Sequence, residues 1–221
     1  MGIEIMVIPA SCIGAYLIGG IPTAFLLAKR RGVSILSFGS GSSGATNTAR
    51  SLGVKNGLIV AVIDILKGAL PVLIARSVIG LTVPGYLLTG LSAVFGHIYS
   101  PYLKKFKGGK GVATGAGTIA VIYPPAIPFA LTVFALILAV SRYSSAASLT
   151  SLFLVIPYYI LLSMVTKKAF DPYIVAFLSV LFLLIAFSHR KNLYRLIHGT
   201  ELTFTSSKQK SREEIDAHNR N

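Results

Sequence analysis

The chain has 221 residues, 53% hydrophobic and only 13% charged, and a mean hydropathy of +0.72. Soluble domains carry about 25% charged residues, so a water-soluble globule, a disordered chain and a collagen-like repeat are all excluded. The single cysteine, Cys12, excludes an internal disulfide framework and any cysteine-built metal site. The formal charge of +14 comes from 21 Lys+Arg against 7 Asp+Glu. In a soluble chain this excess would suggest nucleic acid. Here the cations sit in short clusters between apolar stretches, which is the positive-inside pattern of an integral membrane protein. Some of them are also available to hold an anion such as a phosphate. Before residue 200 the only acids are Glu4, Asp64 and Asp171, too few for paired-carboxylate chemistry.

Residues 3–28 open the chain as an apolar run with no basic region before it and no clear cleavage site after it. They are read as a retained span. Residues 56–79 form a second span and 84–103 a third, whose end is interrupted by Gly96, His97 and Pro101. The stretch 111–141 admits two readings. As one straight helix it would be roughly 45 Å long, against a hydrocarbon core of about 30 Å. Pro124, Pro125 and Pro128 fall near its middle, where proline removes helical hydrogen bonds, so two short crossings, 111–123 and 126–141, are also possible. Spans 146–165 and 170–188 follow.

Charge parity separates the two readings. If the loop with Lys29, Arg30, Arg31, Arg50 and Lys55 is cytoplasmic, so are Lys104, Lys105, Lys107 and Lys110 two crossings later. Two crossings over 111–141 keep Arg142 and the basic stretch Arg190, Lys191 and Arg195 inside; one crossing puts them outside. The positive-inside rule therefore predicts an all-α bundle of seven transmembrane spans, N-terminus outside and C-terminus cytoplasmic. Residues 1–202 make the membrane unit, and 203–221 read as a loosely ordered polar cytoplasmic tail.

With this topology four polar segments share one end. The first, FGSGSSGATNTAR (38–50), has glycines and small hydroxyls that suit an anion-binding nest; otherwise it is a flexible polar loop. The second, FKGGKGVAT (106–114), runs a glycine turn into a helix start, where free N–H groups and the positive dipole end attract phosphate. It lacks the GxxxxGK[ST] spacing, so nucleotide hydrolysis is not supported, and a helix cap with snorkelling lysines is the plainer alternative. The third, RYSSAAS (142–148), puts Ser145 and Ser148 about one turn apart, as head-group contacts or as a capping segment. The fourth, FSHRKNLYRLIHGTE (187–201), aligns His189, Asn192 and Arg195 or Leu196 on one helical face. His189 ordinarily titrates near neutrality. Asp64 and Lys67 in DILKG form an i, i+3 pair inside a span, where charges are usually paired or functional. His97 in GHIY is a further candidate, or a packing histidine.

Taken together in order, GSG-SSGATNTAR-SLG, DILKG, GHIY, FKGGKGVAT, RYSSAAS and HRKNLYRLIHGTE resemble the bacterial acyl-phosphate-dependent glycerol-3-phosphate acyltransferases of the plasma membrane, over residues 37–201. The resemblance implies seven helices with the N-terminus outside. It also implies transfer of an acyl group from acyl-phosphate to the 1-hydroxyl of glycerol 3-phosphate, giving lysophosphatidic acid and phosphate at the cytoplasmic side of the bacterial inner membrane, with no cofactor and no metal. It implies catalytic roles for Ser40, Arg50, Lys110, Ser148, His189 and Asn192. Gly41, Thr46, Asn47, Lys67, Gly108, Gly109, Gly111 and Arg195 are the accompanying candidates for substrate binding. Expected partners are the two substrates, membrane lipids and the soluble enzyme that makes acyl-phosphate, with no nucleic acid. Two departures stand out: Ser42, where the family usually has Asn, and an extra residue near Ser100. A transporter for a phosphorylated small molecule is the rival class, but transporters gather polar groups at the bilayer midplane, and here they collect at one end. A lipid-binding scaffold is a third class, suggested only by the tail.

Overall fold

The computed structural model describes residues 2–204, all of them helix or connecting loop. Of the expected tail, 203–221, the part from residue 205 on lies outside the described residues. The chain starts with α1 (Gly2–Gly20) and α2 (Thr23–Arg30), one apolar unit broken at Ile21–Pro22. Then come α3 (Ala45–Leu52), α4 (Val54–Leu73, continued by a π turn Ile74–Val78), α5 (Val83–Ile98) and α6 (Val112–Ile122). The chain continues with α7 (Ala126–Ser141), α8 (Ser144–Val165), α9 (Pro172–Ser188) and α10 (Arg190–Ile197).

The proline break expected in 111–141 is present, with Tyr123, Pro124 and Pro125 separating α6 from α7. The third expected span, by contrast, overran its helix. α5 ends at Ile98, because Pro101 has no N–H to continue the ladder. Two of its terminal carbonyls, His97 and Ile98, are taken by Gly109 N–H (2.9 Å) and Gly108 N–H (3.1 Å). α9 begins with Pro172 after Asp171, whose side chain accepts from Tyr173 N–H at 2.9 Å, a proline-plus-cap start.

Among the described residues, three helical units are long and apolar enough to cross a membrane unaided, namely Ile5–Arg30, Val54–Val78 and Ser144–Val165. α9 with α10, bent by 65°, qualifies as a fourth, and α5, α6 and α7 are shorter apolar helices. In lipid, helices pair through close van der Waals packing at small residues. A Cβ at Gly68 or Gly117 would run into the facing backbone carbonyls of Thr114 and Ile65, so these glycines let α4 and α6 touch backbone to backbone. Gly19 and Gly96 do the same for α1 and α5. The core lies between α5, α6, α8 and α9, around Val94, Ile119, Val155, Leu178, Leu181 and Ile185. Large apolar side chains such as Ile5, Met6, Val140 and Met164 point outward, as a lipid-facing surface requires.

Candidate active site

The four polar segments meet at one end of the bundle. Asn47, buried on α3, organises the first. Its Nδ2 lies within hydrogen-bond distance of the carbonyls of Ile35, Phe38 and Ser42, and its Oδ1 accepts from Ser40 N–H at 3.1 Å. One amide therefore folds the whole loop, with Gly39 and Gly41 at φ of +54° and +65° making the turns that a side chain would strain. Ser43 N–H reaches Gly108 O (3.4 Å) and joins this loop to the glycine-lysine loop. There Gly111, at φ +86°, leads into α6, and the Lys110 carbonyl accepts from Ser188 Oγ at 2.9 Å. Since Gly108 and Gly109 N–H bind the end of α5, the amides left for a ligand are those beyond them, at the first turn of α6.

These loops enclose a cavity of about 260 Å³. Among the described residues six cations line it, Lys105, Lys107, Lys110, Arg190, Lys191 and Arg195, together with Ser40, Gly41, Ser42, Ser188 and Asn192, and no carboxylate does. Its chemistry is that of an anion site. Burial pushes the Lys110 ammonium down to about 8; the Glu201 carboxylate opposes this shift, and Arg50 and Arg195 reinforce it.

Glu201 ties the third and fourth segments together outside this lining. It is buried, and it accepts from Ser145 Oγ (2.8 Å), Asn192 Nδ2 (2.5 Å) and Arg195 Nε (2.8 Å). Burial alone would raise its pKa. The hydrogen bonds from Asn192, Arg195 and Ser145 outweigh it and hold the carboxyl below its ordinary value, so it is an anion at neutral pH. The chain after it is pinned as well: Arg50 donates from Nε to Thr203 O (3.2 Å) and from a terminal nitrogen to Leu202 O (3.0 Å), and Phe204 N–H reaches Arg142 O (3.0 Å). Sequence reading missed Glu201. The available signal was a lone acid closing the fourth segment, six residues after Arg195.

Of the expected catalytic residues, Ser40, Lys110 and Asn192 line the cavity. Arg50, Ser148 and His189 are buried and absent from its lining. Ser148 Oγ donates to Ser144 O at 2.7 Å. His189, at the bend between α9 and α10, places Nδ1 at 2.9 Å from Ile185 O. A carbonyl can only accept, so Nδ1 carries the proton and Nε2 is the free base. Burial, reinforced by repulsion from Lys110, pushes its pKa down to about 4 and keeps the ring neutral. Of the expected binding residues, Gly41, Gly108, Gly109 and Arg195 line the cavity. Gly111 caps α6, Thr46 is half-buried on α3, Asn47 holds the first loop, and Lys67 lies inside the bundle against Asp64. Ser42 lines the wall, and buried Ser100 donates to Gly20 O (2.6 Å) at the break after α1. The described residues contain no Ser–His–carboxylate relay: Ser188 and His189 Nδ1 approach to 3.3 Å, but that nitrogen already serves a backbone carbonyl. Nor do three of His, Cys, Asp and Glu gather among them at metal-binding distance.

Comparison with known proteins returns one family. The glycerol-3-phosphate acyltransferase family profile matches residues 9–199. A glycerol-3-phosphate acyltransferase of Geotalea daltonii is 44% identical over 194 residues, 87% of this chain and 95% of the relative. The crystal structure of PlsY (YgiH), an integral membrane glycerol 3-phosphate acyltransferase, superposes in its glycerol 3-phosphate form with a TM-score of 0.82 at 36% identity, covering 91% of this chain and 98% of that one. Its lysophosphatidic acid form gives 0.79 at 36% identity, covering 90% and 96%.

Proposed function

Because the chain belongs to the glycerol-3-phosphate acyltransferase family and is an integral membrane acyltransferase, we propose that it moves an acyl group from acyl-phosphate to the 1-hydroxyl of glycerol 3-phosphate, giving lysophosphatidic acid and inorganic phosphate. The observation that carries this reading is the cavity itself, lined by six cations and no carboxylate and sized for small anions. Both substrates bring a phosphate. Lys110, with Arg195 and the amides at the first turn of α6, holds one of them; Ser40 and Asn192 orient the hydroxyls. Arg50, which grips the backbone at Leu202 and Thr203, and Ser148, which donates to Ser144 O, act from outside the lining as positioning residues. The relative crystallised in a glycerol 3-phosphate form and a lysophosphatidic acid form supports the acceptor and the product.

Acyl-phosphate is already activated, so orientation and charge stabilisation replace a protein nucleophile. The glycerol O1 attacks the acyl carbonyl carbon, the bond from that carbon to the phosphate oxygen breaks, and phosphate leaves. The O1 proton passes to a substrate phosphate or to His189 Nε2. The acyl chain lies along an apolar groove of about 470 Å³ between α1, α5 and α9, lined by Cys12, Tyr16, Leu88, Leu91, Phe95 and Leu184. The Phe95 ring lies tilted against Tyr99, 4.8 Å between centroids, and Tyr99 lines the polar cavity, so groove and cavity adjoin.

In the proposed setting seven helical units cross the bacterial inner membrane, α6 and α7 as short spans, with the N-terminus outside and the cavity facing the cytoplasm. That arrangement puts the basic rim on the side where the soluble enzyme that makes acyl-phosphate works. Incubating purified protein and glycerol 3-phosphate with acyl-phosphate, acyl-CoA and acyl carrier protein in parallel tests the donor. Lysophosphatidic acid from acyl-phosphate alone is expected, and product from acyl-CoA without acyl-phosphate would overturn the assignment.

A further inference from the structure

One buried polar cluster has no part in the chemistry above. Asp64 and Lys67 lie one turn apart on α4, both almost inaccessible, with Lys67 Nζ 2.8 Å from Asp64 Oδ1. Lys67 also donates to Ile21 O at 2.8 Å, at the break between α1 and α2. On the far side of the carboxylate stands His97, buried on α5, with Nδ1 3.8 Å from the same Oδ1. The opposite edge of the ring covers the glycine-lysine loop: a Cβ built on Gly109 would collide with His97 Nε2. The backbone of His97 grips the same spot, since its carbonyl accepts from Gly109 N–H at 2.9 Å. Gly109 precedes Lys110, the half-buried cation of the cavity wall.

We propose that Asp64, Lys67 and His97 form an internal strut that sets the position of the glycine-lysine loop, with His97 as a positioning residue for glycerol 3-phosphate binding. The strut runs from the α1–α2 break through Lys67 and Asp64 to the imidazole, and the imidazole is the wall against which Gly109 sits. Its two charges face each other inside the bundle and reach neither the cavity nor the lipid, so they act through placement. Glycine is required at 109 because the ring occupies the space of a side chain, and the Asp64 carboxylate stands 3.8 Å from the other edge of that ring. The inference rests on reading the cavity as the glycerol 3-phosphate site.

A loop that holds a phosphate does so in ground state and transition state alike, so its displacement raises KM and leaves kcat. A merely structural role would lower the folded fraction and leave KM unchanged. The test measures KM and kcat for glycerol 3-phosphate together with melting temperature, for wild type, Gly109→Ala, His97→Ala and the double variant. Gly109→Ala is expected to raise KM by about tenfold or more with kcat within about twofold, and His97→Ala to raise it less. In the double variant the added methyl enters space the ring has vacated, so its KM should match that of His97→Ala alone. Unchanged KM in folded Gly109→Ala, or KM effects that simply multiply in the double variant, would overturn the strut. If His97→Ala does not fold, His97→Asn, whose shorter side chain also frees the space facing Gly109, replaces it in the same series. A folded wild type that makes no lysophosphatidic acid would overturn the functional reading instead, a result distinct from an unmoved KM in an active series.

Discussion

At the scale of single residues, two groups with similar surroundings are tuned to different ends. His189 and Lys110 are both shifted down by burial, but from different starting points, to about 4 and about 8. His189 is therefore neutral across the working range, and its titration leaves no mark on activity above pH 5. Lys110 loses its charge just above neutrality. The sign follows directly: the ammonium that attracts the phosphate is present below its pKa and lost as pH rises through it. The pH profile of kcat/KM for glycerol 3-phosphate, which reports the free enzyme, should fall above about pH 8. Lys110→Arg, which stays charged, should move that fall to higher pH even at reduced activity. A profile identical in the two proteins would assign the fall to another group. The sequence disclosed the chemistry of these residues more readily than their neighbours. Lys110 and Asn192 were legible because their types suit phosphates and hydroxyls. The office of Asn47, binding three carbonyls of its own loop, was not, because a buried amide serving its own loop and one serving a ligand read the same. Glu201 escaped because its three partners, Ser145, Asn192 and Arg195, come from two separated segments.

At the scale of elements, composition placed most helices and missed their ends. The break between α6 and α7 was readable because the ring of proline forbids helix there whatever the tertiary setting. The end of α5 was read too late: Pro101 interrupts the run, but Tyr99, Tyr102 and Leu103 keep the stretch apolar past Ile98, where the helix stops and Gly108 and Gly109 take its last carbonyls. Helix pairing was equally hidden, since a glycine in an apolar run looks the same whether or not a backbone crosses it. The α4–α6 contact gives this a measurable consequence. Gly117 lies against Ile65 O with no room for a Cβ, and α6 is only 11 residues long. Gly117→Val should force the two helices apart and destabilise the protein by about 3 kcal/mol or more, seen as a lower melting temperature in detergent. The same change at Gly14, which has open space around it, should leave that temperature nearly unmoved. Equal effects at the two sites would place the cost in helix propensity and not in contact.

At the scale of the whole molecule, the polar segments assemble because successive apolar helices alternate in direction, so the far end of one unit lies beside the near end of the next. α2, α5, α7 and α9 finish at the cavity end, and α4, α6 and α8 start from it. This brings residues 38–50, 106–114, 142–148 and 187–201 together across more than 150 positions of sequence, as in the bond from Arg50 to Leu202. That convergence was legible as parity of charge before any coordinates, because lysines and arginines bias the side on which each loop stays. Which residues face the ligand was less legible, since it depends on rotations of each helix that charge does not set.

The proposed chemistry is one reaction in one cavity. Purified protein given acyl-phosphate and glycerol 3-phosphate, with phosphate release and lysophosphatidic acid followed in the same sample, tests it most directly. The two products should appear in equal amounts, and both should be lost in Lys110→Ala and Arg50→Ala variants that keep the wild-type melting temperature. Phosphate released without lysophosphatidic acid, or turnover undiminished in the folded variants, would contradict it.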